Sequence, residues 1–174
     1  MRLLLVGYGR MGKIIEQMAP DYGFEVVGNL DIYNNVAGAG VASAPQADVA
    51  IDFSIASAVV ENLPLFAARG TNLVIGTTGW QAHEAEMRQI VQAAGIGVVA
   101  ASNFSLGANL FQVLVEQAAA LFARHAAYGA WVYEIHHAAK QDAPSGTALT
   151  LQSAMERAGY ARPTASRCVE KGHP

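Results

Sequence analysis

The sequence has one cysteine, Cys168, in 174 residues, which excludes a disulfide framework and a cluster of thiolate metal ligands. A reduced thiol in a reducing compartment is the plain expectation. Charge is also scarce: 14% of residues, with 11 Lys and Arg against 14 Asp and Glu and a net charge of −3. No basic run interleaved with aromatics occurs, so no nucleic-acid partner is expected. No stretch reaches the ~18 consecutive apolar residues of a membrane span, and the first residues run into a glycine turn instead of a signal-peptide cleavage site. These absences predict a cytoplasmic protein with no membrane association and small molecules as partners. What the chain does have is apolar residues, 52% of the total, enough for a sizeable core. At roughly 100–200 residues per domain, the length allows one domain or one and a fraction.

Short β-rich runs recur at 3–6, 24–27, 49–53, 73–75 and 98–100, each followed by a turn signal. Between them, 13–19, 56–69 and 81–94 carry helical apolar spacing. The segment 32–47, rich in Gly, Asn and Ala, reads as loop, and Pro64 predicts a kink or break in the second helix. Strands alternating with helices give an α/β fold: a Rossmann-type, doubly wound parallel sheet over residues 1–105. The pattern changes in 106–174. A long apolar helix at 106–125 leads to an alternating strand at 131–137, a polar loop, and a helix at 146–158 ended by Gly159. This second part reads as an incomplete α+β substrate and oligomerisation domain.

Gly7-Tyr-Gly9-Arg-Met-Gly12 lies between the first strand and first helix, where glycines permit a tight turn and let a pyrophosphate approach a helix N-terminus. Asp31 closes the second strand nineteen residues after Gly12, near the spacing of an acid that binds the adenosine ribose hydroxyls. A carboxylate there favours NADH over the 2′-phosphate of NADPH. Arg10 can still reach a phosphate, so NADPH use stays open. Two further strand ends carry polar loops, Gly76-Thr77-Thr78-Gly79 and Ser102-Asn103-Phe104-Ser105, which should face the nicotinamide half of a dinucleotide. Capping of the next helix is the other reading of Thr77 and Thr78.

The densest reactive cluster runs from Glu134 to Thr147 and includes His136, His137, Lys140, Asp142 and Ser145. Adjacent histidines on a strand point to opposite faces and cannot share a metal, and no H-x-x-x-H helix is present, so no metal site is expected. Ser145-Gly146-Thr147 opens a helix whose N–H groups suit a carboxylate, with Lys140 adding a positive charge. A histidine beside them can deliver a proton at neutral pH to a C=C or C=N bond that receives a hydride. A plain cap with two surface histidines is the alternative.

The string E-I-H-H-x-x-K-x-D-A-P-S-G-T-A-L at 134–149 resembles the signature of the 4-hydroxy-tetrahydrodipicolinate reductase (dihydrodipicolinate reductase) family of lysine and diaminopimelate biosynthesis. G-x-G-R-M-G at 7–12, I-D-F-S at 51–54, V-I-G-T-T-G at 74–79 and N-F-S-L-G at 103–107 are similar to it as well. The resemblance implies His136 as proton donor, with Lys140 assisting. It implies that His137, Lys140, Ser145, Gly146 and Thr147 bind the carboxylates of a cyclic imine dicarboxylate. The cofactor, NADH or NADPH, would be held by Gly7, Gly9, Arg10, Met11, Gly12, Asp31, Gly76, Thr77, Thr78, Ala101, Ser102, Asn103 and Phe104. Another nicotinamide-linked reductase accounts for the first hundred residues but not for the 134–149 string. A non-enzymatic nucleotide-binding module gives His136 and Lys140 no task. The family forms homotetramers and continues past the signature helix through further strands and a final helix. A chain ending at Pro174 is therefore expected to be C-terminally truncated, with strand 131–137 left at an unpaired edge.

Overall fold

The computed structural model describes residues 1–136, 144–162 and 165–170, with His136 and 165–170 described by backbone alone. The chain divides into two compact units, Met1–Phe104 and Ser105–Pro174. In the first, β1 (Arg2–Val6), β2 (Glu25–Leu30), β3 (Val49–Asp52), β4 (Asn72–Ile75) and β5 (Val98–Ala100) form one parallel sheet in the order β2-β1-β3-β4-β5. α1 (Arg10–Met18), α2 (Ala39–Ser43), α3 (Ala56–Ala68) and α4 (Glu84–Ala94) alternate with the strands. A strand buried on both faces reads as an unbroken apolar run. β1 is such a strand. Leu3 and Leu5 enter a cluster with Ala19 and Val49, against which Ile15 of α1 packs, while Leu4 and Val6 join Val59, Leu63 and Phe66 of α3. This is the expected α/β, Rossmann-like architecture, and the strand order reverses between β1 and β3, where open sheets of this type place their ligands.

Two local expectations are corrected. α3 runs as one helix through Pro64, without the expected break. Proline costs a helix roughly 3 kcal/mol, but Val59, Leu63, Phe66 and Ala67 are all buried around it, and that packing holds the helix together. Residues 32–47 are not all loop: a 3₁₀ turn at Val36–Gly38 leads into α2. Val41, wholly buried, anchors this short helix in the core, and its N–H donates to Asn35 Oδ1 at 3.2 Å.

The second unit holds α5 (Leu106–Phe122), β6 (Trp131–His136), α6 (Gly146–Arg157) and β7 (Ala165–Glu170). β6 and β7 pair in parallel, Trp131 opposite Ala165 through His136 opposite Glu170. Sequence patterning did not mark β7, whose Ala-Ser-Arg-Cys-Val-Glu has a single β-branched residue. β6 accordingly has a paired neighbour along one edge. Helices α5 and α6 meet around Ala119, Met155 and Tyr160. The Arg162 guanidinium donates to the Phe122 and His125 carbonyls at 2.9 and 3.0 Å, a cation placed at the negative end of α5. Trp131, Tyr133 and Ile135, alternate residues of β6, remain exposed, as do Leu110 and Leu114 of α5. No described helix is long and apolar enough to cross a membrane.

Candidate functional site

In the first unit the glycine turn leaves the carboxyl end of β1, and two of its glycines are fixed by backbone contacts. Gly7 lies at φ +86°, and a Cβ on it would sit 2.4 Å from the Phe53 carbonyl oxygen. A Cβ on Gly12 would meet the Gly7 carbonyl oxygen at the same distance. Gly9 differs, because a Cβ there would enter open space. It caps α1 without a side-chain bond, so the first turn of α1 opens beside an unfilled approach. A cavity of about 540 Å³ spreads from this turn and is bounded by Gly7, Gly9, Asp31, Asn35, Ser54 and Asn62 among others. Tyr8 also borders it. The phenol of Tyr8 donates to Glu16, and that bond holds its pKa above the usual tyrosine value, keeping it a neutral donor.

Asp31 follows β2 and closes a turn. Its Oδ1 accepts the N–H groups of Tyr33 and Asn34 at 2.8 and 3.2 Å, a side-chain turn that short polar residues favour. Among the described residues, no hydrogen bond uses Oδ2. The carboxylate therefore borders the cavity with one oxygen uncommitted, as a ribose-binding acid requires.

The ends of β3 and β4 are tied by a cluster whose pairing the sequence did not reveal. Asp52, 3% exposed, accepts at Oδ1 from Ser54 N–H (2.9 Å), Ser54 Oγ–H (2.7 Å) and Thr77 Oγ1–H (2.7 Å). Thr77 Oγ1 in turn accepts from Ser54 N–H at 2.8 Å, and its carbonyl accepts from Trp80 Nε1 at 2.9 Å. The Thr77 hydroxyl is thus committed inward, to Asp52, and caps no helix; Thr78 is exposed. Gly76 packs so closely on the Phe53 ring that a Cβ would lie 2.1 Å from it. Thr77, Ala101 and Ser102 line a second cavity of about 510 Å³ beside α4. Arg10, Met11, Gly12, Gly76, Thr78, Asn103 and Phe104 line neither cavity, and Phe104 instead stacks edge-on against Phe53 with ring centroids 6.3 Å apart.

Thr77→Val removes a buried hydroxyl that both donates to a carboxylate and accepts an N–H. It should cost about 1–3 kcal/mol of stability, while Thr77→Ser stays near the parent; denaturant unfolding of the two variants is the check. Equal stability of both would show that the cluster is redundant.

In the second unit His136 ends β6 and Ser145 caps α6. Ser145, 3% exposed, accepts from Ala148 N–H at 3.1 Å; its own N–H donates to Glu134 Oε1 at 2.9 Å and its hydroxyl to Glu134 Oε2. One carboxylate of the chain therefore already occupies the head of α6, across eleven residues of sequence. Gly146 and Thr147 are exposed on the first turn of α6. His137 and Lys140 lie outside the described residues. Asp52 lies inside the I-D-F-S match without a role attached to it, and Asn62 lies in no motif at all. Asn62 follows Glu61 in the middle of a mostly apolar helix, where two adjacent polar residues carry no signal of a ligand.

The family model described as dihydrodipicolinate reductase, N-terminus, matches residues 1–104, and that described as dihydrodipicolinate reductase, C-terminus, matches 107–172. Proteins named 4-hydroxy-tetrahydrodipicolinate reductase are similar. That of Christiangramia forsetii is 38% identical over 153 residues, 87% of this chain and 62% of its own length. That of Acidiphilium cryptum is 39% identical over 150 residues, 86% of this chain and 58% of its length. That of Xanthomonas campestris pv. campestris is 42% identical over 163 residues, 87% and 66% respectively. The chain thus spans about three fifths of the length of these relatives. A solved structure, dipicolinate-bound dihydrodipicolinate reductase from Paenisporosarcina sp. TG-14, shares the fold with a TM-score of 0.76 at 24% identity, covering 100% of this chain and 69% of that one. With both family models matched in order along a Rossmann-like unit and the unit that follows it, the chain belongs to the dihydrodipicolinate reductase family.

Proposed function

We propose that this chain carries the nucleotide-binding and proton-donating parts of an NAD(P)H-dependent reductase that converts 4-hydroxy-tetrahydrodipicolinate to tetrahydrodipicolinate. The observation that carries this is the glycine turn, closed at Gly7 and Gly12, open at Gly9, and sharing one cavity with Asp31. When bound, the nicotinamide supplies a hydride; one proton completes the reduction and the substrate hydroxyl leaves as water. The chain's own groups do the rest. The α1 N-terminus receives the pyrophosphate and Asp31 the adenosine ribose. Gly146 and Thr147 offer N–H groups to a substrate carboxylate, joined by Ser145, His137 and Lys140. Ser145 contributes chiefly by shaping this turn, since its hydroxyl is bonded to Glu134 and Ala148. His136 donates the proton and Lys140 assists it. Arg10, Met11, Gly76, Thr78 and residues 101–104 complete the cofactor site. Assembly into a homotetramer and a cytoplasmic location belong to the same proposal.

Spectrophotometric oxidation of NADH with enzymatically generated substrate, run on this chain and on one of the family's full length, tests the activity. No turnover by either would refute it. Asp31 makes NADH at least as good a ligand as NADPH, because a carboxylate facing a 2′-phosphate costs electrostatic energy. Fluorescence titration of both reduced cofactors should show this, and Asp31→Ala should narrow the difference; much tighter NADPH binding at moderate salt would overturn the assignment.

A further inference from the structure

Asn62 of α3 borders the cavity that holds the glycine turn and Asp31, yet it is 1% exposed and its Nδ2 has no hydrogen-bond partner. Its orientation is fixed by a chain of donors and acceptors. The Val41 N–H can only donate, so the Asn35 atom that receives it at 3.2 Å is Oδ1. Asn35 Nδ2 then donates to Asn62 at 2.9 Å, which must present its own Oδ1 there. The leftover Asn62 atom is therefore a donor. A buried N–H left without an acceptor is costly and rare, and calls for an explanation. The segment packed over it is also unusual. Ala37, at φ +49°, is the one non-glycine among the described residues with a left-handed backbone, and Gly38 beside it lies at φ +78° with its Cα hydrogen facing Leu65 and Asn62. A strained stretch therefore lies beside the residue that carries the unspent donor.

We propose that Asn62 reads the adenine of the bound dinucleotide, its Nδ2–H donating to an acceptor nitrogen of the ring. The inference rests on the nucleotide-binding proposal above and adds a specificity-determining residue to it. Adenine fits because its ring nitrogens are acceptors, the ribose is met by Asp31 and the pyrophosphate by the glycine turn, all around the one cavity. The assigned chemistry is therefore a neutral, acceptor-bearing ring at the wall of the cavity that Asn62 shares with Asn35.

Calorimetric titration of this chain with NADH, ADP-ribose and reduced nicotinamide mononucleotide separates the possibilities. Asn62→Asp keeps the oxygen that Asn35 needs and removes the donor; Asn62→Leu is a neutral second variant, and thermal melting checks that each is folded. Both variants should weaken NADH and ADP-ribose about tenfold, the scale of one net hydrogen bond, and leave the mononucleotide, which lacks adenine, unchanged. Unchanged ADP-ribose affinity in a folded variant overturns the role of Asn62 while leaving the nucleotide proposal standing. An equal loss for the mononucleotide also overturns it, since that would mean the cavity had merely collapsed. If the parent chain binds neither NADH nor ADP-ribose, the nucleotide proposal itself fails.

Discussion

Gly9→Ala should fold as well as the parent and lose at least about tenfold in NADH affinity, whereas Gly7→Ala should lose the fold of the turn itself. The contrast comes from what each new methyl meets. At Gly9 it meets nothing of the protein, so melting temperature should not move, but it fills the side from which a pyrophosphate reaches the N–H groups of α1. At Gly7 it meets the Phe53 carbonyl at 2.4 Å from a backbone at φ +86°. Left-handed strain of about 1–2 kcal/mol and overpacking of about 1–3 kcal/mol then add, enough to lower the melting temperature by roughly 10 °C or more. Thermal melts with and without NADH measure both effects. A Gly9→Ala protein that binds NADH normally would remove the pyrophosphate from this turn.

His136→Ala, made in a chain of full family length, should lower kcat by roughly 10²–10⁴-fold while NADH affinity stays within about twofold. The residue ends β6, which is not a strand of the sheet that carries the glycine turn and Asp31. The pH dependence of turnover should change with it, because the group proposed to supply the proton is gone. Lys140→Ala should instead weaken substrate binding and rate together. Near-parental turnover of His136→Ala would pass the proton to Lys140 or to water.

The first unit was legible because its signals are local. Apolar runs of β1 and β4, the glycines after β1 and the acid after β2 each sit within a few residues of the element they define. The unmarked features depend on partners that only the fold assembles. Asp52 and Thr77 are 25 residues apart, and Asn35 and Asn62 are 27 apart, so neither pair has a pattern to read. β7 forms because β6 offers it a parallel edge, not because Ala165–Glu170 favours strand on its own. Pro64 misled for the opposite reason, since a strong local rule was overridden by a helix face buried in the core. In the second unit, the 134–149 string marked Ser145 as a candidate anion ligand. Its bond to Glu134, eleven residues back, could not be foreseen from spacing.

Phe53 is pressed between two glycines, its carbonyl against Gly7 and its ring against Gly76. Positions 53 and 76 therefore cannot drift independently as the sequence diverges. A side chain at 76 becomes tolerable only after the residue at 53 has shrunk, whereas position 7 gains nothing from that change, because it touches backbone that every residue carries. Substitutions here have an order in which they can be accepted. Sequences that have lost the aromatic ring are where a non-glycine residue at the second site should first be found.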